Sequence, residues 1–397
     1  KQKTAYEIRL SLVGSEMCIR DRVNVEYQNT HERFWGRHYP VSSATPTFYG
    51  QENSSGSRRD KAFVQLDTTL LDDLNLIAGA VYDRQDTLGV ATSTTDLVPP
   101  FDETVSDGNP LHKPFFIVTK LSLYAQARKP LLAESLNLTL GGRFDHNSVY
   151  GPIATFRSGF SYSLFKDTKL RFMLGQAFRE PNIFEQAGFG SDPKDLEPTR
   201  LTLAEVGLNH VITRGATLQA VVYRSWQTDE ITNENTANFY NKTGTRIVSG
   251  VETKAQYRFD NGVGGDVGYA YVVTPGTDYA GRSLRNLGVY PHHLNASIGY
   301  ELIEHWRINT RVNWYSRVQA KHGNSAVTEI ITIDPAARLD LTLSSNRISV
   351  ADRSASFFLT VTNLLNTEWY QPNVRTGGPR EFLQPGRQAL ARLSFEF

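Results

Sequence analysis

Hydrophobic and polar residues alternate along most of the chain with a period of two. The clearest segment, 306–314, places tryptophan, isoleucine and valine at alternate positions, with arginine and asparagine between them. Segments 136–144, 156–164, 355–362 and 389–397 alternate in the same way. Successive side chains of a β-strand point to opposite faces, so this period is typical of strands with one apolar and one polar face.

The alternating segments and the turn residues between them predict about sixteen strands. Most of them contain ten or more residues, enough for a tilted crossing of a membrane. The predicted strands are 23–28, 61–71, 74–85, 114–128, 135–146, 153–165, 169–179, 200–212, 217–228, 246–260, 265–276, 293–302, 305–318, 336–346, 353–364 and 386–397.

The connections between these strands are alternately short and long, and only the link at 147–152 is short where a long one is expected. Transmembrane β-barrels have tight periplasmic turns and long extracellular loops, and lipid requires every backbone polar group to be paired. The pattern therefore predicts an all-β fold, a transmembrane antiparallel β-barrel, over a soluble sheet with ordinary aromatic pairs. The long segments are 30–60, 85–113, 180–199, 229–245, 277–291, 321–334 and 366–386.

Composition and charge narrow the function classes. The formal net charge of the 397 residues is only +1, which argues against a nucleic-acid partner. Cys18 is the one cysteine, so neither an internal disulfide framework nor a thiolate metal cluster is expected. No apolar run approaches the roughly 18 residues of a spanning helix.

The first 22 residues differ from everything that follows. Residues 15–22, Ser-Glu-Met-Cys-Ile-Arg-Asp-Arg, resemble the translated sequencing-adapter read-through found at broken ends of environmental gene assemblies. The alternative is a short native strand at 7–13. We expect 1–22 to be non-native and the barrel domain to occupy 23–397.

Several segments, taken in order, resemble the C-terminal part of TonB-dependent outer-membrane receptors. They depart from the family pattern at Glu180, where alanine is usual, and at Thr199, where glutamate is usual. The matching segments are Gly-Gly-Arg-Phe-Asp at 141–145, Leu-Gly-Gln-Ala-Phe-Arg-Glu-Pro-Asn-Ile-Phe-Glu at 174–185, Leu-Glu-Pro-Thr at 196–199 with Glu-Val-Gly at 205–207, Val-Ser-Gly-Val-Glu at 248–252, Val-Thr-Asn-Leu-Leu-Asn-Thr-Glu-Trp-Tyr at 361–370, and Pro-Gly-Arg at 385–387.

The resemblance implies an outer-membrane barrel of 22 strands in a Gram-negative bacterium, with an N-terminal plug domain and a TonB box. The strands of this chain would then be the last sixteen, and the plug and TonB box would be missing from it. Such a chain is expected to be a fragment that meets TonB, ExbB and ExbD only through the missing part. The terminal Phe397 is the expected assembly signal for the barrel assembly machinery.

The function implied is active transport of a bulky, scarce nutrient, most often a ferric siderophore, captured by the long loops. Aromatic loop residues are the candidate ligand contacts, although loop self-packing is an alternative for each one. Arginines of the polar faces are expected in the lumen, facing either a plug or solvent. The loop candidates are Trp35, Tyr39, Tyr49, Phe184, Phe189, Tyr240, Tyr279 and Tyr290, and the lumen candidates are Arg143, Arg157, Arg307, Arg311, Arg338 and Arg392.

Other functions remain open in the sequence. Haem is a possible ligand, but loop 180–199 has no histidine to bind its iron, and cobalamin and oligosaccharides are further possibilities. From another class, a passive porin of sixteen strands fits the strand count. We predict no enzyme, bound metal or cofactor, because no G-x-S-x-G, H-E-x-x-H or Walker pattern occurs.

Overall fold

The structure is a computed structural model of the chain. Each side chain named below lies in a range that the structure describes, with the exceptions stated for individual residues. The described ranges are 22–38, 51–70, 73–93, 114–182, 185, 196–235, 238–274, 277–279, 282–284, 286–323, 328–350, 353–373 and 380–396.

The described residues form an antiparallel all-β fold. Sixteen strands belong to one main sheet, in agreement with the sequence prediction, and β10–β11, β14–β15, β18–β19 and β22–β23 pair separately as hairpins. The strands are β1 (Arg22–His38), β2 (Gln51–Leu70), β3 (Leu74–Ser93), β4 (Pro114–Leu131), β5 (Leu136–Asn147), β6 (Gly151–Phe165), β7 (Thr168–Arg179), β8 (Thr199–Thr213), β9 (Ala216–Thr228), β10 (Glu230–Asn235), β11 (Asn238–Lys242), β12 (Arg246–Arg258), β13 (Val263–Val273), β14 (Thr277–Tyr279), β15 (Arg282–Leu284), β16 (His292–Ile303), β17 (Trp306–Tyr315), β18 (Val318–Gly323), β19 (Thr328–Ile333), β20 (Ala336–Val350), β21 (Arg353–Thr362), β22 (Tyr370–Pro372), β23 (Glu381–Leu383) and β24 (Gln388–Glu396).

Three strands extend well beyond their predicted ends. β1 continues to His38, β2 begins at Gln51 and β3 continues to Ser93, so parts of two predicted loops are strand. The outer part of β2 is polar at both alternating positions, adjacent Phe34 and Trp35 interrupt any alternation in β1, and the outer part of β3 has only Leu88 and Val90 as large apolar residues. The sequence therefore carries no period-two signal there, while the backbone pairing continues without it.

The chain divides into two compact units. Unit 1 comprises Lys1–Gly159, Gly175–Leu201 and Thr228–Gly244, and unit 2 comprises Phe160–Leu174, Thr202–Gln227 and Thr245–Phe397. Each unit contains a stretch of consecutively paired strands of the main sheet: β1 to β5 in unit 1, and β12, β13, β16, β17, β20, β21 and β24 in unit 2. The register shifts at a few points, for example between Ser345 and Ile348.

In unit 1, the register separates polar from apolar side chains. Residues directly opposite each other in paired strands share a face, so a row across the sheet shows the character of that face. Across β1 to β5, one row reads Asn24, Gln65, Gly79, Tyr124 and Arg143, and the next reads Val25, Val64, Ala80, Leu123 and Phe144.

Unit 2 has the same division into a polar and an apolar face. The alternation seen in the sequence therefore corresponds to two sheet faces of opposite character. Across β12 to β20, one row reads Gln256, Asp266, Ser297, Arg311 and Asp340, and the next reads Ala255, Val267, Ala296, Val312 and Leu339.

The apolar face is open to its surroundings. Leu123 is 51% exposed and Ile298 is 53% exposed, although each lies in the middle of a strand. Large exposed apolar surfaces are unusual in soluble monomers and require an apolar environment. A small conventional core occurs in the β18–β19 hairpin, where Val318 and Ala320 are almost fully buried.

The polar face of unit 1 contains a tyrosine packed over a glycine. A Cβ atom at Gly79 would lie 2.5 Å from Tyr124 Cζ and 2.7 Å from the carbonyl oxygen of Val64. Tyr124 Oη also donates a hydrogen bond of 2.8 Å to Gln65 Oε1. The absence of a side chain at Gly79 therefore permits both the ring position and this bond.

We expect Gly79→Ala to lower the free energy of unfolding by about 1–3 kcal/mol, because the ring must move and overpacking is costly. Gly142→Ala is the matched control, since its Cβ would meet nothing closer than Thr155 O at 3.9 Å. Urea unfolding in detergent measures both variants. Equal stability of the two would contradict the proposed contact.

Candidate functional site

The eight predicted ligand contacts differ in how far the structure describes them. Tyr240 on β11 and Tyr290 before β16 are described with their side chains. Trp35 on β1 and Tyr279 on β14 lie in described strands, but nothing is described of their side chains. Outside the described residues lie Tyr39, Tyr49, Phe184, Phe189 and the predicted assembly residue Phe397.

In unit 1, the segment that follows β7 is held by a clamp of three side chains. Arg179 Nη1 donates to both carboxylate oxygens of Glu185, at 3.0 and 2.9 Å. Asn182 N–H donates to Glu185 Oε2, and Glu185 N–H donates to Asn182 Oδ1, each at 2.8 Å. The residues that resemble the receptor family here thus fix the path of the chain as it leaves β7.

A second group in unit 1 anchors the β10–β11 hairpin to the start of β8. Thr199 Oγ1 donates to Asp229 O at 3.1 Å and accepts from Ile231 N–H at 3.3 Å. Asn241 Nδ2 donates to the carbonyl oxygens of Glu197 and Asp229, at 2.8 and 2.9 Å. Threonine at 199, a departure from the family pattern, therefore has a structural role in this chain.

This anchoring presents Tyr240 to solvent. The residue precedes Asn241 on β11, and it is 42% exposed. A tyrosine held on an anchored hairpin loses little conformational freedom on binding, and it offers both an aromatic face and a hydroxyl. Tyr240 is the described loop candidate best placed to contact a ligand.

A charged cluster lies on the polar face of unit 1, near the ends of β4 and β5. Arg143 donates to both oxygens of the fully buried Asp145, at 2.8 Å each, and to Ser122 Oγ at 2.9 Å. Ser122 Oγ in turn donates to Asp145 Oδ1 at 2.5 Å. Arg143 is thereby held rigidly beside its carboxylate.

Beside this cluster, Lys120 Nζ donates to Glu180 Oε1 at 2.5 Å. Burial raises the pKa of the Tyr150 phenol, and the negative charge of Glu180 raises it further. Tyr150 therefore remains a neutral phenol at physiological pH. Glu180, the other departure from the family pattern, thus forms a defined ion pair in this chain.

Unit 2 carries a group of four packed rings at the end of its strands where the hairpins lie. We call this group the aromatic stack, and its members are Tyr290, His293, Tyr315 and Trp369. The rings of His293 and Tyr315 are parallel, with centroids 4.6 Å apart, and Trp369 lies on the stack 6.0 Å from Tyr315. Tyr290 packs against Tyr315 at 5.3 Å. The Arg338 guanidinium lies over the Trp369 ring at 5.8 Å.

Tyr290 is part of the loop packing. Its hydroxyl donates to Tyr370 O at 3.0 Å, and burial raises the pKa of its phenol. Tyr290 therefore takes part in loop packing, which is the stated alternative to ligand contact for each loop candidate. Its neighbours His293, Tyr315 and Trp369 were not among the predicted contacts.

In unit 2, the β18–β19 and β22–β23 hairpins also bind each other. His322 Nδ1 on β18 lies 3.2 Å from Asn373 O, just after β22, and Arg380 Nε lies 2.7 Å from Glu329 Oε1 on β19. Phe382 on β23 is 46% exposed. The hairpins therefore form a connected surface that bears an exposed aromatic residue.

The turn after β21 is built around Asn363, which is 1% exposed and has a φ of 51°. Its side chain donates to Thr367 O and accepts from Thr367 N–H, both at 2.9 Å. Its backbone N–H donates to Asp340 Oδ1 at 2.8 Å, and Asp340 also pairs with Arg338. The turn is thereby linked to the arginine that lies over Trp369.

We expect Asn363→Ala to lower the free energy of unfolding by about 2–3 kcal/mol, since two buried hydrogen bonds are lost and alanine tolerates a left-handed backbone less well than asparagine. Asn313→Ala on the polar face of β17 is the control, because no hydrogen bond of its side chain to a described residue is found. Urea unfolding in detergent compares them. A loss below 1 kcal/mol for Asn363→Ala would contradict the role assigned to the turn.

The register places five of the six predicted arginines on polar faces: Arg143 in unit 1, and Arg307, Arg311, Arg338 and Arg392 in unit 2. They differ in their partners, since Arg338 is paired with Asp340 whereas Arg392 lies over the Phe358 ring at 5.8 Å. The sixth, Arg157, lies on β6 beside Phe156, which is 41% exposed.

Within the described ranges, no three His, Cys, Asp or Glu side chains come together in the way that metal ligands do. The same part of the chain contains no helix of the length and apolarity that a membrane crossing requires.

The chain is similar to known outer-membrane proteins. The Vitamin B12 transporter BtuB of Vibrio cholerae serotype O1 is 24% identical over 234 residues, which are 58% of this chain and 36% of that protein. The chain thus spans little more than a third of the length of this curated relative.

Two solved structures have a similar fold. The ferric enterobactin receptor PfeA of Pseudomonas aeruginosa, as a mutant in complex with enterobactin, has a TM-score of 0.72 at 15% identity, over 96% of this chain and 60% of that one. The siderophore receptor PirA of Acinetobacter baumannii has a TM-score of 0.70 at 15% identity, over 94% of this chain and 59% of that one. Identities this low establish a common fold only.

Residues 113–364 match the family model described as TonB dependent receptor-like, beta-barrel. This match covers more than half of the chain and includes most of the paired strands described above. It also accounts for the exposed apolar face, which outer-membrane lipid covers in such proteins. The chain therefore belongs to the TonB-dependent receptor β-barrel family of the Gram-negative outer membrane.

Proposed function

We propose that the chain is the barrel part of an active transporter that takes up a ferric siderophore or a similarly bulky, scarce nutrient. The proposal rests on the hairpin end of unit 2, where the aromatic stack and Arg338 lie at the same strand ends as the β18–β19 and β22–β23 hairpins, which bind each other. Loops of this kind present aromatic groups with little loss of conformational entropy on binding.

The chemistry of this end suits a large, planar ligand. Aromatic faces stack on rings, and the Arg338 guanidinium, which is paired with Asp340, lies over the Trp369 ring. In unit 1, Tyr240 adds an exposed ring on an anchored hairpin. Two of the similar structures are receptors for siderophores by name, which favours this ligand class.

Energy for transport would come from TonB, ExbB and ExbD, and it would act through a plug domain that precedes the barrel. The chain spans 36% of the B12 transporter and about 60% of the similar siderophore receptors. The plug and the energy-supplying partners are therefore proposed for the whole protein. The polar faces, with their arginines, would line the lumen and face either that plug or solvent.

Cobalamin is the second candidate ligand. It is favoured by the sequence similarity to the B12 transporter, which extends over 58% of this chain. Haem and oligosaccharides have no comparable support in the described residues.

The test begins with sequencing the locus upstream of the Val23 codon from intact DNA. The full gene is then expressed in two strains that lack their own siderophore and cobalamin receptors, one with TonB and one without it. Uptake of a panel of radiolabelled ferric siderophores and of labelled cyanocobalamin is measured with and without a protonophore. We expect uptake of at least one ferric siderophore, only with TonB and only without the protonophore.

The other outcomes separate the alternatives. TonB-dependent uptake of cyanocobalamin alone would identify cobalamin, the second candidate, as the ligand. Permeation that requires neither TonB nor a membrane potential, together with a signal peptide directly before Val23, would overturn the proposal in favour of a passive porin.

For a ferric siderophore that is transported, we expect Tyr240→Ala to weaken binding about two- to tenfold, because one aromatic contact contributes about this much to the affinity. Tyr240→Phe keeps the ring and is expected to bind within about twofold of the natural protein. Equilibrium binding to whole cells measures both. Unchanged affinity in the alanine variant would remove Tyr240 from the site.

A further inference from the structure

The polar face of unit 2 has a recess of about 500 Å³ at the end of the strands opposite to the aromatic stack. The turns at 214–215, 259–262 and 304–305 mark this end, and such short turns face the periplasm in outer-membrane barrels. From these turns the recess extends along the strands as far as Arg311, four residues before Tyr315 of the aromatic stack.

The lining of the recess is strongly basic. Arg214, Arg258, Arg307 and Arg311 contribute four guanidinium groups, and Asp266 contributes the single carboxylate. Asp266 accepts a hydrogen bond of 2.6 Å from Ser297 Oγ. Four like charges around one concave surface repel one another unless an anion compensates them.

None of the four guanidinium groups forms an ion pair with a carboxylate among the residues that the structure describes. Other arginines on the polar faces are paired, as Arg143 is with Asp145 and Arg338 with Asp340. Glu301 stands opposite Arg307 in the register of β16 and β17, but no ion pair joins them. The recess thus differs from the places where Arg143 and Arg338 lie, and Arg392, which also lacks an ion pair to a described residue, lies over the Phe358 ring instead.

Two glycines create the space that one of these arginines occupies. Gly264 and Gly299 lie directly opposite each other on β13 and β16. A Cβ atom at Gly299 would lie 2.7 Å from Arg307 Nη2, and one at Gly264 would lie 3.4 Å from the same atom. The Arg307 guanidinium therefore lies close against bare backbone, which restricts its position before any ligand arrives.

We propose that this recess binds a multivalent oxyanion, a small molecule with two or more carboxylate or phosphate groups. Guanidinium groups donate in pairs to the oxygens of both groups, and the volume is that of a small-ligand site. Tyr257 is the one aromatic residue in the lining, which suits a compact polar anion better than a bulky nutrient.

The test is isothermal titration of the full chain in nonionic detergent, at low salt, with pyrophosphate and with citrate as separate probes. We expect saturable binding of at least one probe, and the probe that binds identifies phosphate or carboxylate as the preferred group. Arg307→Gln and Arg311→Gln should each weaken binding at least about tenfold, since each removes charge-assisted hydrogen bonds.

Arg317→Gln is the matched control, because Arg317 is paired with Asp334 in an exposed position and lies outside the recess. It should bind within about twofold of the natural chain. Arg307→Lys keeps the positive charge but removes the paired N–H donors of the guanidinium. An affinity between those of the natural chain and Arg307→Gln would therefore support binding by these donors, even if a glutamine variant folds poorly.

Three results would overturn the inference. These are no saturable binding of either probe to the natural chain, equal weakening by Arg317→Gln and by the recess variants, and binding of an oligoglutamate peptide without binding of either small anion. The last result would assign the recess to an acidic protein segment. None of these results depends on which nutrient the receptor transports.

Discussion

Leu123→Arg is expected to lower the free energy of unfolding by about 2–4 kcal/mol, the effect of a cation on the lipid face near the middle of a membrane barrel. Leu123 lies on the apolar face of β4, in register with Ala80 and Phe144, and it is 51% exposed. A soluble protein would tolerate arginine at such an exposed position with little loss. The size of the effect therefore measures whether lipid covers this face.

Gln126→Arg provides the control for Leu123→Arg. Gln126 lies on the same strand, two residues from Tyr124 and therefore on the polar face, so the introduced charge would point to the opposite side of the sheet. Reversible unfolding by urea in lipid vesicles gives both free energies. A loss of less than 1 kcal/mol for Leu123→Arg, or an equal loss for both variants, would contradict the assignment of the faces.

The two sheet faces could be predicted from the sequence because alternation and lipid burial are local properties of each strand. The outer parts of β1, β2 and β3 could not, since apolar and polar residues do not alternate regularly along them and they are held by backbone pairing between strands. The β10–β11 hairpin was not predicted either. Its position depends on Thr199, 30 residues before Asp229, and no local period signals such a contact.

Prediction from sequence is limited in a similar way for the loop aromatic residues. Tyr240 and Tyr290 are both loop tyrosines in the sequence, yet Tyr240 is exposed, whereas Tyr290 is bonded to Tyr370, 80 residues away. Sequence alone identifies the residue type but not this long-range partner. The segments that resemble the family, by contrast, do form local structure, as the clamp at Arg179 and the turn at Asn363 show.

For the arginines, the sequence contains a local signal of ion pairing. In a strand, residues two apart share a face, so an aspartate at that spacing can pair with the arginine. Arg84–Asp86, Arg143–Asp145 and Arg338–Asp340 all follow this spacing and form ion pairs. Arg307 and Arg311 instead have asparagine two positions on, and they remain unpaired among the described residues.

Asp145→Ala is the second substitution for which we expect a large effect, a loss of about 3 kcal/mol in the free energy of unfolding. Asp145 is fully buried and accepts three hydrogen bonds, two from Arg143 and one from Ser122. Its removal would leave a partly buried guanidinium without its counter-charge. The Arg143 side chain is 39% exposed, so water offsets part of the loss. The expected loss therefore lies at the lower end of the range for breaking a buried ion pair.

A double-mutant cycle distinguishes the ion pair from simple loss of a side chain. In Arg143→Met/Asp145→Ala, no unpaired charge remains, so we expect at least 1 kcal/mol of the loss to be recovered. Asp260→Ala, in the exposed turn after β12, should change stability by less than about 0.5 kcal/mol. Urea unfolding in detergent is measured for the natural chain, for the single variants Arg143→Met and Asp145→Ala, for the double variant and for Asp260→Ala. If the double variant were less stable than Asp145→Ala, Arg143 would stabilise the barrel independently of Asp145, and the cluster would not act as a unit.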